Sequence, residues 1–169
     1  MAKQKYNDVF LEVLEANKGI VYKVSKTYCS DEEERKDLVQ EIIIQIWNSF
    51  HKYDTKYKHS TWIYRIALNV AISSYRKSSI RREKSVPLSD TSNYIDDEGE
   101  SNKEEDIALL YKAVQELNKL DKALILLHLE GRNHKEIAEI MDITESNVST
   151  KLGRIKNKIK ERLLAITNI

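Results

Sequence analysis

Short polar residues and basic residues alternate near the C-terminal end of this 169-residue sequence. From Ser146 to Arg162 there are six basic residues against one acid, a local charge of +5. Short polar side chains can approach base edges closely in a major groove, and arginine and lysine side chains bind phosphates. The candidate base contacts are Ser146, Asn147, Ser149, Thr150 and Lys151, and the candidate phosphate contacts are Arg154 and the later lysines, including Lys158. These residue types predict a surface for duplex DNA.

Two predicted helices position those residues. Asn133 and Glu136 have the spacing of a capping box, and Thr144 is a candidate N-cap for the second helix. Apolar residues of the second helix recur at steps of three or four and predict one buried side: Val148, Leu152, Ile155, Ile159 and Leu163. The pattern is typical of a helix-turn-helix, and the alternative is an amphipathic hairpin with a solvated lysine face. Gly153 costs a helix interior about 1 kcal/mol relative to alanine, which a closely packed partner would explain.

A second basic stretch carries aromatic residues. From Lys52 to Lys84 there are nine basic residues against two acids, a local charge of +7, in a polar loop followed by a long helix that Ser60 is predicted to cap. Tyrosines and a tryptophan are interleaved with these charges: Tyr53, Tyr57, Trp62, Tyr64 and Tyr75. Such a surface suits single-stranded nucleic acid, because aromatic faces stack on unpaired bases. The alternative for Trp62 is a core position, since it shares a helical face with Ile63 and Ile66.

The helix before that loop is apolar on more than one side. Ser30 and Glu33 predict its capping box, and an acidic run, residues 31–34, occupies its first turn. Its apolar rows are Leu38, Ile42 and Ile46, then Val39, Ile43 and Phe50, with Ile44 and Trp47 widening the stripe. One interpretation is the central helix of a small bundle. The other is a partner-binding surface in which Asp37, Gln40 and Glu41 project beside the apolar rows. Two short helices are predicted before it, over residues 7–16 and from the 17–19 break to Tyr28.

The composition predicts an all-α protein without a catalytic site. One proline and four glycines are present, and apolar residues follow helical spacing. The single cysteine, Cys29, cannot form an internal disulfide, which favours a reducing, cytoplasmic setting. We expect no metal, no cofactor and no enzymatic activity, because the four histidines lack ligand spacing and no glycine-rich phosphate loop occurs. No apolar run approaches the roughly 20 residues of a membrane span, and the first residues lack the apolar core of a signal peptide, so we expect neither membrane insertion nor export.

Charge is segregated along the chain. Residues 1–85 carry +5, residues 86–106 carry −7 and residues 107–169 carry +3. The middle block contains the single proline and few apolar residues, so it predicts an extended acidic linker. The expected architecture is therefore two small helical domains, 1–85 and 107–169, joined by a flexible linker, with the helix-turn-helix in the second. A further helix from Ile107 to Leu117 and one from Leu120 to Glu130, closed by Gly131, precede it.

Three segments in this order resemble the extracytoplasmic-function (ECF) sigma factors, which are initiation subunits of bacterial RNA polymerase. DLVQEIIIQIW at Asp37 to Trp47 resembles the polymerase-binding segment of that family. STWIYRIALNVAISSYRK at Ser60 to Lys77 resembles its promoter-melting helix. GRNHKEIAEIMDITESNVSTKLGRIKNKIKERL at Gly131 to Leu163 resembles its promoter-reading helix-turn-helix. The resemblance covers nearly the whole chain.

The resemblance implies a role for each group of residues. Docking on core RNA polymerase is implied for Asp37, Leu38, Gln40, Glu41 and Trp47. Capture of melted minus-ten DNA is implied for Tyr53, Lys56, Tyr57, Lys58, His59, Ser60, Trp62, Asn69, Arg76 and Lys77. Reading of the minus-thirty-five duplex is implied for Ser146 to Arg154 and Lys158. The expected partners are core polymerase and promoter DNA, both duplex and single-stranded, and an anti-sigma factor is a candidate partner.

The resemblance also implies that the acidic linker threads through a basic channel of the polymerase, to which its negative charge attracts it. The acidic residues expected to matter are Asp96, Asp97, Glu98 and Glu100. The alternative is an inert tether. Two other functions remain open from the residues alone. One is a free-standing helix-turn-helix regulator that binds duplex DNA without polymerase. The other is a helical interaction protein, such as an adaptor, whose basic faces are only solvated.

Overall fold

The computed structural model describes the backbone of residues 1–84 and 101–168, and side chains over 1–74 and 103–168. Every regular element in those ranges is helical, which confirms the prediction of an all-α protein. The chain divides into two compact units, Met1–Ser89 and Asp90–Ile169. The proposed role of Asp96 to Glu100 falls outside the described residues.

Unit 1 is a bundle of three helices. It contains α1 (Ala2–Tyr28), α2 (Glu32–Ser49), a single 3-10 turn (Phe50–Lys52) and α3 (His59–Lys84). Each helix packs on the other two. The core has rows from all three helices: Val21 and Val24 of α1, Leu38, Ile42 and Ile46 of α2, and Ile63, Tyr64, Ala67 and Leu68 of α3. Each helix therefore contributes one row of apolar side chains to this core.

The first helix is continuous, so the prediction of two short helices with a break at residues 17–19 was wrong. Asn17 stays within the helix because its Nδ2 donates to the carbonyl oxygen of Val13 at 2.8 Å. Gly19 lies on the exposed side. The buried residues Phe10, Ile20 and Val24 continue along one face on both sides of the expected break. Tertiary packing of that face outweighs the roughly 1 kcal/mol that a mid-helix glycine costs.

Two caps predicted in unit 1, at Ser30 and Ser60, are not at those residues in the structure. Asp31, rather than Ser30, caps α2, and its Oδ2 accepts from the backbone N–H of Glu34 at 2.9 Å. The carboxylate at this end also complements the helix dipole, as the following glutamates do. Helix α3 begins at His59, so Ser60 lies inside its first turn rather than at the cap.

Unit 2 consists of four helices, α4 (Ser101–Gln115), α5 (Lys119–Leu129), α6 (His134–Met141) and α7 (Glu145–Thr167). Helix α7 packs on the other three. Helix α4 begins at Ser101, so residues 101–106 are helical, although the sequence analysis assigned them to the linker. Glu104 lies in the first turn of α4, where the positive end of the helix dipole favours acidic side chains. The charge that suggested a linker therefore also suits a helix start.

The end of α5 confirms the predicted role of Gly131. This glycine has a positive φ of 77°, a conformation that costs other residues more because of their Cβ atom. Its N–H donates to the carbonyl oxygen of His128, and the N–H of Arg132 donates to that of Leu127, each at 3.0 Å. This pair of bonds is the Schellman arrangement, which ends the helix and turns the chain towards α6.

Candidate nucleic-acid interface

Helices α6 and α7 form the predicted helix-turn-helix. The capping box at Asn133 is present: its side chain accepts from the N–H of Glu136 at 2.9 Å, and the Glu136 carboxylate accepts from the N–H of Asn133 at 3.1 Å. Asp142 adopts a left-handed conformation and ends α6. Thr144 then caps α7 by accepting from the N–H of Asn147 at 3.1 Å. A three-residue turn therefore joins the two helices.

The predicted base-reading residues lie together on the solvent side of α7. Ser146, Asn147, Ser149 and Thr150 are exposed, whereas Lys151 is half-buried. On the opposite side, the row formed by Val148, Leu152, Ile155 and Ile159 is buried. The Thr150 hydroxyl donates to the carbonyl oxygen of Ser146 at 3.1 Å, so its donor is used within the helix. The N-terminal half of α7 thus presents a short polar surface with Arg154 at its end.

The C-terminal half of α7 forms ion pairs with an acidic residue of α5 and with one in the turn before α5. Lys158 Nζ lies 3.3 Å from Oδ2 of Asp121, and Arg162 forms an ion pair with Glu116. Asp121 also accepts from Nδ2 of Asn118 at 3.0 Å. The pair with Glu116 raises the pKa of Arg162. The ammonium group of Lys158, a predicted phosphate contact, therefore has a carboxylate partner in this structure.

Gly153 lies on the exposed side of α7, one turn after Ser149 and Thr150. A Cβ atom built at this position meets nothing within 4 Å. The close packing partner suggested by the sequence is therefore absent among the described residues. A glycine beside Arg154, near the end of this exposed polar surface, leaves room for an external molecule to approach the helix backbone.

In unit 1 the loop before α3 is closed by its own side chains. The Tyr53 hydroxyl donates to the carbonyl oxygen of Tyr57. The Tyr53 ring stacks on His59 with centroids 4.5 Å apart and meets Trp62 edge-on at 5.2 Å. Asp54 accepts from the backbone N–H of Lys56 at 2.9 Å and fixes the turn between them. The predicted residues Tyr53, His59 and Trp62 are thus brought together.

Cations surround the second tyrosine of this loop. The guanidinium carbon of Arg65 lies 5.6 Å from the centroid of the Tyr57 ring, and Lys56 Nζ lies 5.8 Å from it. Arg65 belongs to α3, one turn after Trp62, and the sequence analysis counted it only as a basic charge. Its position one turn into α3, beside the loop, was the signal that could have identified it. A cation on an aromatic face gives this loop a fixed positive charge.

The other predicted minus-ten residues are more widely spread. Lys56 and Lys58 are exposed, Ser60 is half-buried, and Asn69 lies exposed further along α3. The backbone of Arg76 and Lys77 belongs to α3, and their side chains lie outside the described residues. Trp62 is half-buried. Its exposure is therefore intermediate between the two alternatives from the sequence, a core residue and a residue that stacks on bases.

An exposed face of α2 contains most of the residues predicted to bind polymerase. Asp37, Gln40 and Glu41 are exposed, and Trp47 is 39% exposed. Leu38 is only 2% exposed and lies in the core, so its side chain is removed from the predicted docking surface. Ile44, which the sequence analysis took as part of the apolar stripe, is 58% exposed. Its spacing from Gln40 and Trp47 places it on their face, at steps of four and three residues.

Unit 2 also carries an apolar groove of about 380 Å³ that the sequence analysis did not identify. Leucines and isoleucines of three helices line it, together with His128, Lys156 and Lys160: Leu110, Ile125, Leu129, Ile159, Leu163 and Leu164. Burial, with smaller effects from Lys156 and His134, lowers the pKa of His128. Exposed apolar surface of this kind is typical of protein-binding sites.

Metal-binding and membrane-spanning features were considered only where the structure describes the chain. The side chains of residues 1–74 and 103–168 include no group of three histidine, cysteine, aspartate or glutamate residues that could hold a metal ion. In the same part of the chain, no helix is long and apolar enough to cross a membrane.

Comparison with known families matches both units. Residues 13–80 match the family model for Sigma-70 region 2, and residues 107–159 match that for Sigma-70 region 4. Together the two matches cover more than two thirds of the chain. The chain therefore belongs to the sigma-70 family and is an RNA polymerase sigma factor.

Individual relatives place it in the ECF group, as the resemblance predicted. ECF sigma factor SigX of Bacillus subtilis is 28% identical over 127 residues, covering 71% of this chain and 66% of SigX. SigW of the same organism is 22% identical over 172 residues, covering 95% of this chain and 92% of SigW. The ECF sigma-E factor of Haemophilus influenzae is 29% identical over 139 residues, covering 75% of this chain and 73% of that protein.

Solved structures show the same fold. The sigma factor RpoE of Bartonella quintana, solved with the anti-sigma factor NepR, superimposes with a TM-score of 0.70 at 19% identity, covering 95% of this chain and 97% of RpoE. CnrH, solved with the cytosolic domain of CnrY, gives a TM-score of 0.68 at 18% identity, covering 94% of this chain and 90% of CnrH.

Proposed function

We propose that this sigma factor selects promoters at two points, reading the minus-thirty-five element as duplex with α7 and holding the minus-ten element as a melted strand with the loop before α3. The observation that carries this proposal is the difference between the two surfaces. One is a short polar helix face, and the other is a loop of stacked aromatic rings beside cations.

The α7 surface suits paired DNA. Ser146, Asn147 and Ser149 are exposed at the N-terminal end of the helix, where a recognition helix contacts base edges. Their side chains are short enough to let the helix lie deep in a major groove, and Arg154 at the end of the surface is placed to contact a phosphate. The buried row of α7 keeps this surface outward.

The α3 loop suits unpaired DNA. Removing a base from its stack costs a few kcal/mol, and stacking on an aromatic side chain returns about 1–3 kcal/mol per base. Tyr53, Tyr57 and His59 supply rings, and Lys56 and Arg65 supply positive charge beside them. Arg76 and Lys77 extend this surface in the proposal, at the upstream edge of the minus-ten element.

Docking on core polymerase is assigned to the exposed face of α2. This face combines Asp37, Gln40 and Glu41 with the apolar side chains of Ile44 and Trp47. An apolar centre with polar neighbours is the usual composition of a protein interface. Because polymerase holds the two units in register in this proposal, the free protein is expected to bind promoters weakly.

The proposal includes several further properties. The protein acts in the cytoplasm with RNA polymerase and has no enzymatic activity of its own. The neighbouring structure of RpoE with NepR supports an anti-sigma factor as a candidate partner. The free-standing regulator is not favoured, since the matches cover both sigma regions rather than a helix-turn-helix alone.

A retention experiment on genomic DNA fragments tests this division of labour. Fragments of the organism's DNA are captured by the full chain alone and by the full chain with core polymerase, and the retained fragments are sequenced. We expect specific retention only with polymerase, and altered fragments with S149A. Equal, specific retention by the protein alone would instead identify a free-standing regulator.

The same experiment has an outcome for the interaction protein. If polymerase binds but no sequence is enriched, and retention of DNA is insensitive to salt, the basic surfaces do not contact phosphates. That outcome would reject both DNA-reading surfaces and leave only the docking function.

A further inference from the structure

A chain of aromatic rings runs through unit 1 from α1 to the loop before α3. The Phe10 ring of α1 meets Trp47 of α2 at 4.7 Å and Phe50 at 5.3 Å between centroids. Tyr6 meets the same two rings at 5.7 Å and 5.3 Å. All four pairs have an edge-to-face geometry, which aromatic quadrupoles favour. These rings form a compact cluster at one end of the unit.

Phe50 connects this cluster to the loop. It begins the 3-10 turn after α2, and its ring lies 6.1 Å from that of Trp62. Trp62 in turn meets Tyr53, which stacks on His59. Phe50 is therefore between Trp47, on the exposed face of α2, and the three rings of the loop region.

Several contacts fix the position of the loop. Its own bonds, from Tyr53 to Tyr57 and from Lys56 to Asp54, close it on itself, and the backbone N–H of Tyr53 donates to the carbonyl oxygen of Phe50 at 3.2 Å. Ring contacts through Trp62 and Phe50 attach its aromatic side chains to the ring cluster of α1 and α2. A binding loop held in one conformation loses less entropy when it receives its ligand.

We propose that Phe50 is a positioning residue for base capture: its ring holds Trp62, and through it Tyr53 and His59, in the conformation that receives an unpaired base. This inference rests on the proposed function of the loop. Phe50 itself need not touch DNA. Phe50 and Trp47 also share two ring partners, Tyr6 and Phe10.

The test is a thermodynamic cycle between Phe50 and single bases of the DNA. A promoter is first mapped by run-off transcription, and its non-template minus-ten strand is made as a fluorescent oligonucleotide, intact or with one abasic site at each position in turn. Binding to holoenzyme is followed by anisotropy. For the wild type, one abasic position is expected to weaken binding about tenfold, within the range for base stacking on aromatic rings.

We expect F50L to bind the intact strand five- to tenfold more weakly than the wild type does. The abasic site that weakens wild-type binding should lower the affinity of F50L less than twofold. F50Y keeps the ring and should retain the wild-type penalty. If F50L does not fold, F50M provides the same cycle, because it fills similar volume without a ring. V24A is the matched control: Val24 is fully buried in α1, fourteen residues beyond Phe10, so it should lower the melting temperature and leave the abasic penalty unchanged.

The outcomes separate the two proposals. If no abasic position weakens wild-type binding, the loop does not capture a base and the proposed function fails. If the wild type shows the penalty and the leucine and methionine variants show the same penalty, capture stands and the role of Phe50 is overturned. A loss of penalty in V24A equal to that in F50L would show a general effect of destabilisation and also overturn it.

Discussion

Lys158 of α7 lies 3.3 Å from the carboxylate of Asp121 on α5, and that carboxylate is itself held by the side chain of Asn118. Arg162 makes a second pair with Glu116 one turn later. These pairs attach the C-terminal half of α7 to α5 and to the turn before α5. The N-terminal half carries the exposed polar residues Ser146, Asn147, Ser149 and Thr150.

This division predicts unequal roles for two basic residues of α7. R154A should reduce the salt dependence of minus-thirty-five binding by about one unit of slope, because one phosphate contact is lost. K158A should change the slope by much less, since Asp121 already binds its ammonium group. The measurement is holoenzyme affinity for promoter duplex against salt concentration. An equal reduction in both variants would show that Lys158 leaves Asp121 for a phosphate.

Ile44 is expected to be central to polymerase docking. I44E should weaken core polymerase binding at least tenfold, since it places a charge in the apolar centre of the proposed interface. L11E is a matched control, because Leu11 and Ile44 are both 58% exposed but only Ile44 is on the α2 face. Both affinities are measured by titrating labelled protein with core enzyme. Similar losses in the two variants would contradict the assignment.

Substitution of Gly153 should change stability and DNA affinity in opposite directions. G153A should raise the free energy of unfolding by about 0.5–1 kcal/mol, because alanine favours the helix and its Cβ meets nothing within 4 Å. The same methyl group should weaken minus-thirty-five binding if the helix backbone lies close to the groove. Urea unfolding and holoenzyme binding to the duplex measure the two effects. If G153A is more stable than the wild type but binds the duplex with unchanged affinity, Gly153 does not lie in the DNA interface.

The cap of the recognition helix is also testable. T144A should lower the free energy of unfolding by about 1 kcal/mol, since the N–H of Asn147 loses its acceptor, and T144S should retain most of it. Fraying of the first turn would disorder Ser146 and Asn147, so DNA affinity should fall in the same order. Circular dichroism in urea checks the first effect. Identical stabilities of the alanine and serine variants would show that the cap contributes nothing.

Local signals predicted much of unit 2. The caps at Asn133 and Thr144 and the glycine stop at Gly131 were identified because each depends on residues within one turn. The buried row of α7 followed from spacing alone. The exposed side of that helix, which we propose reads bases, could therefore be predicted as the side opposite the buried row.

Unit 1 was harder to predict because long-range packing decides it. Gly19 suggested a break that the buried face of α1 overrides. Leu38 and Ile44 are both apolar residues of α2, and only the positions of α1 and α3 determine which is buried. The contact between Phe10 and Phe50 joins residues forty positions apart, so no local pattern indicates it.

The most direct test of the account is transcription in vitro with core polymerase and the organism's genomic DNA. Addition of this chain should produce transcripts with defined starts that share an upstream pair of elements, and I44E should abolish them while L11E does not. If core polymerase with and without the chain yields the same starts, the protein does not select promoters and the central claim is wrong.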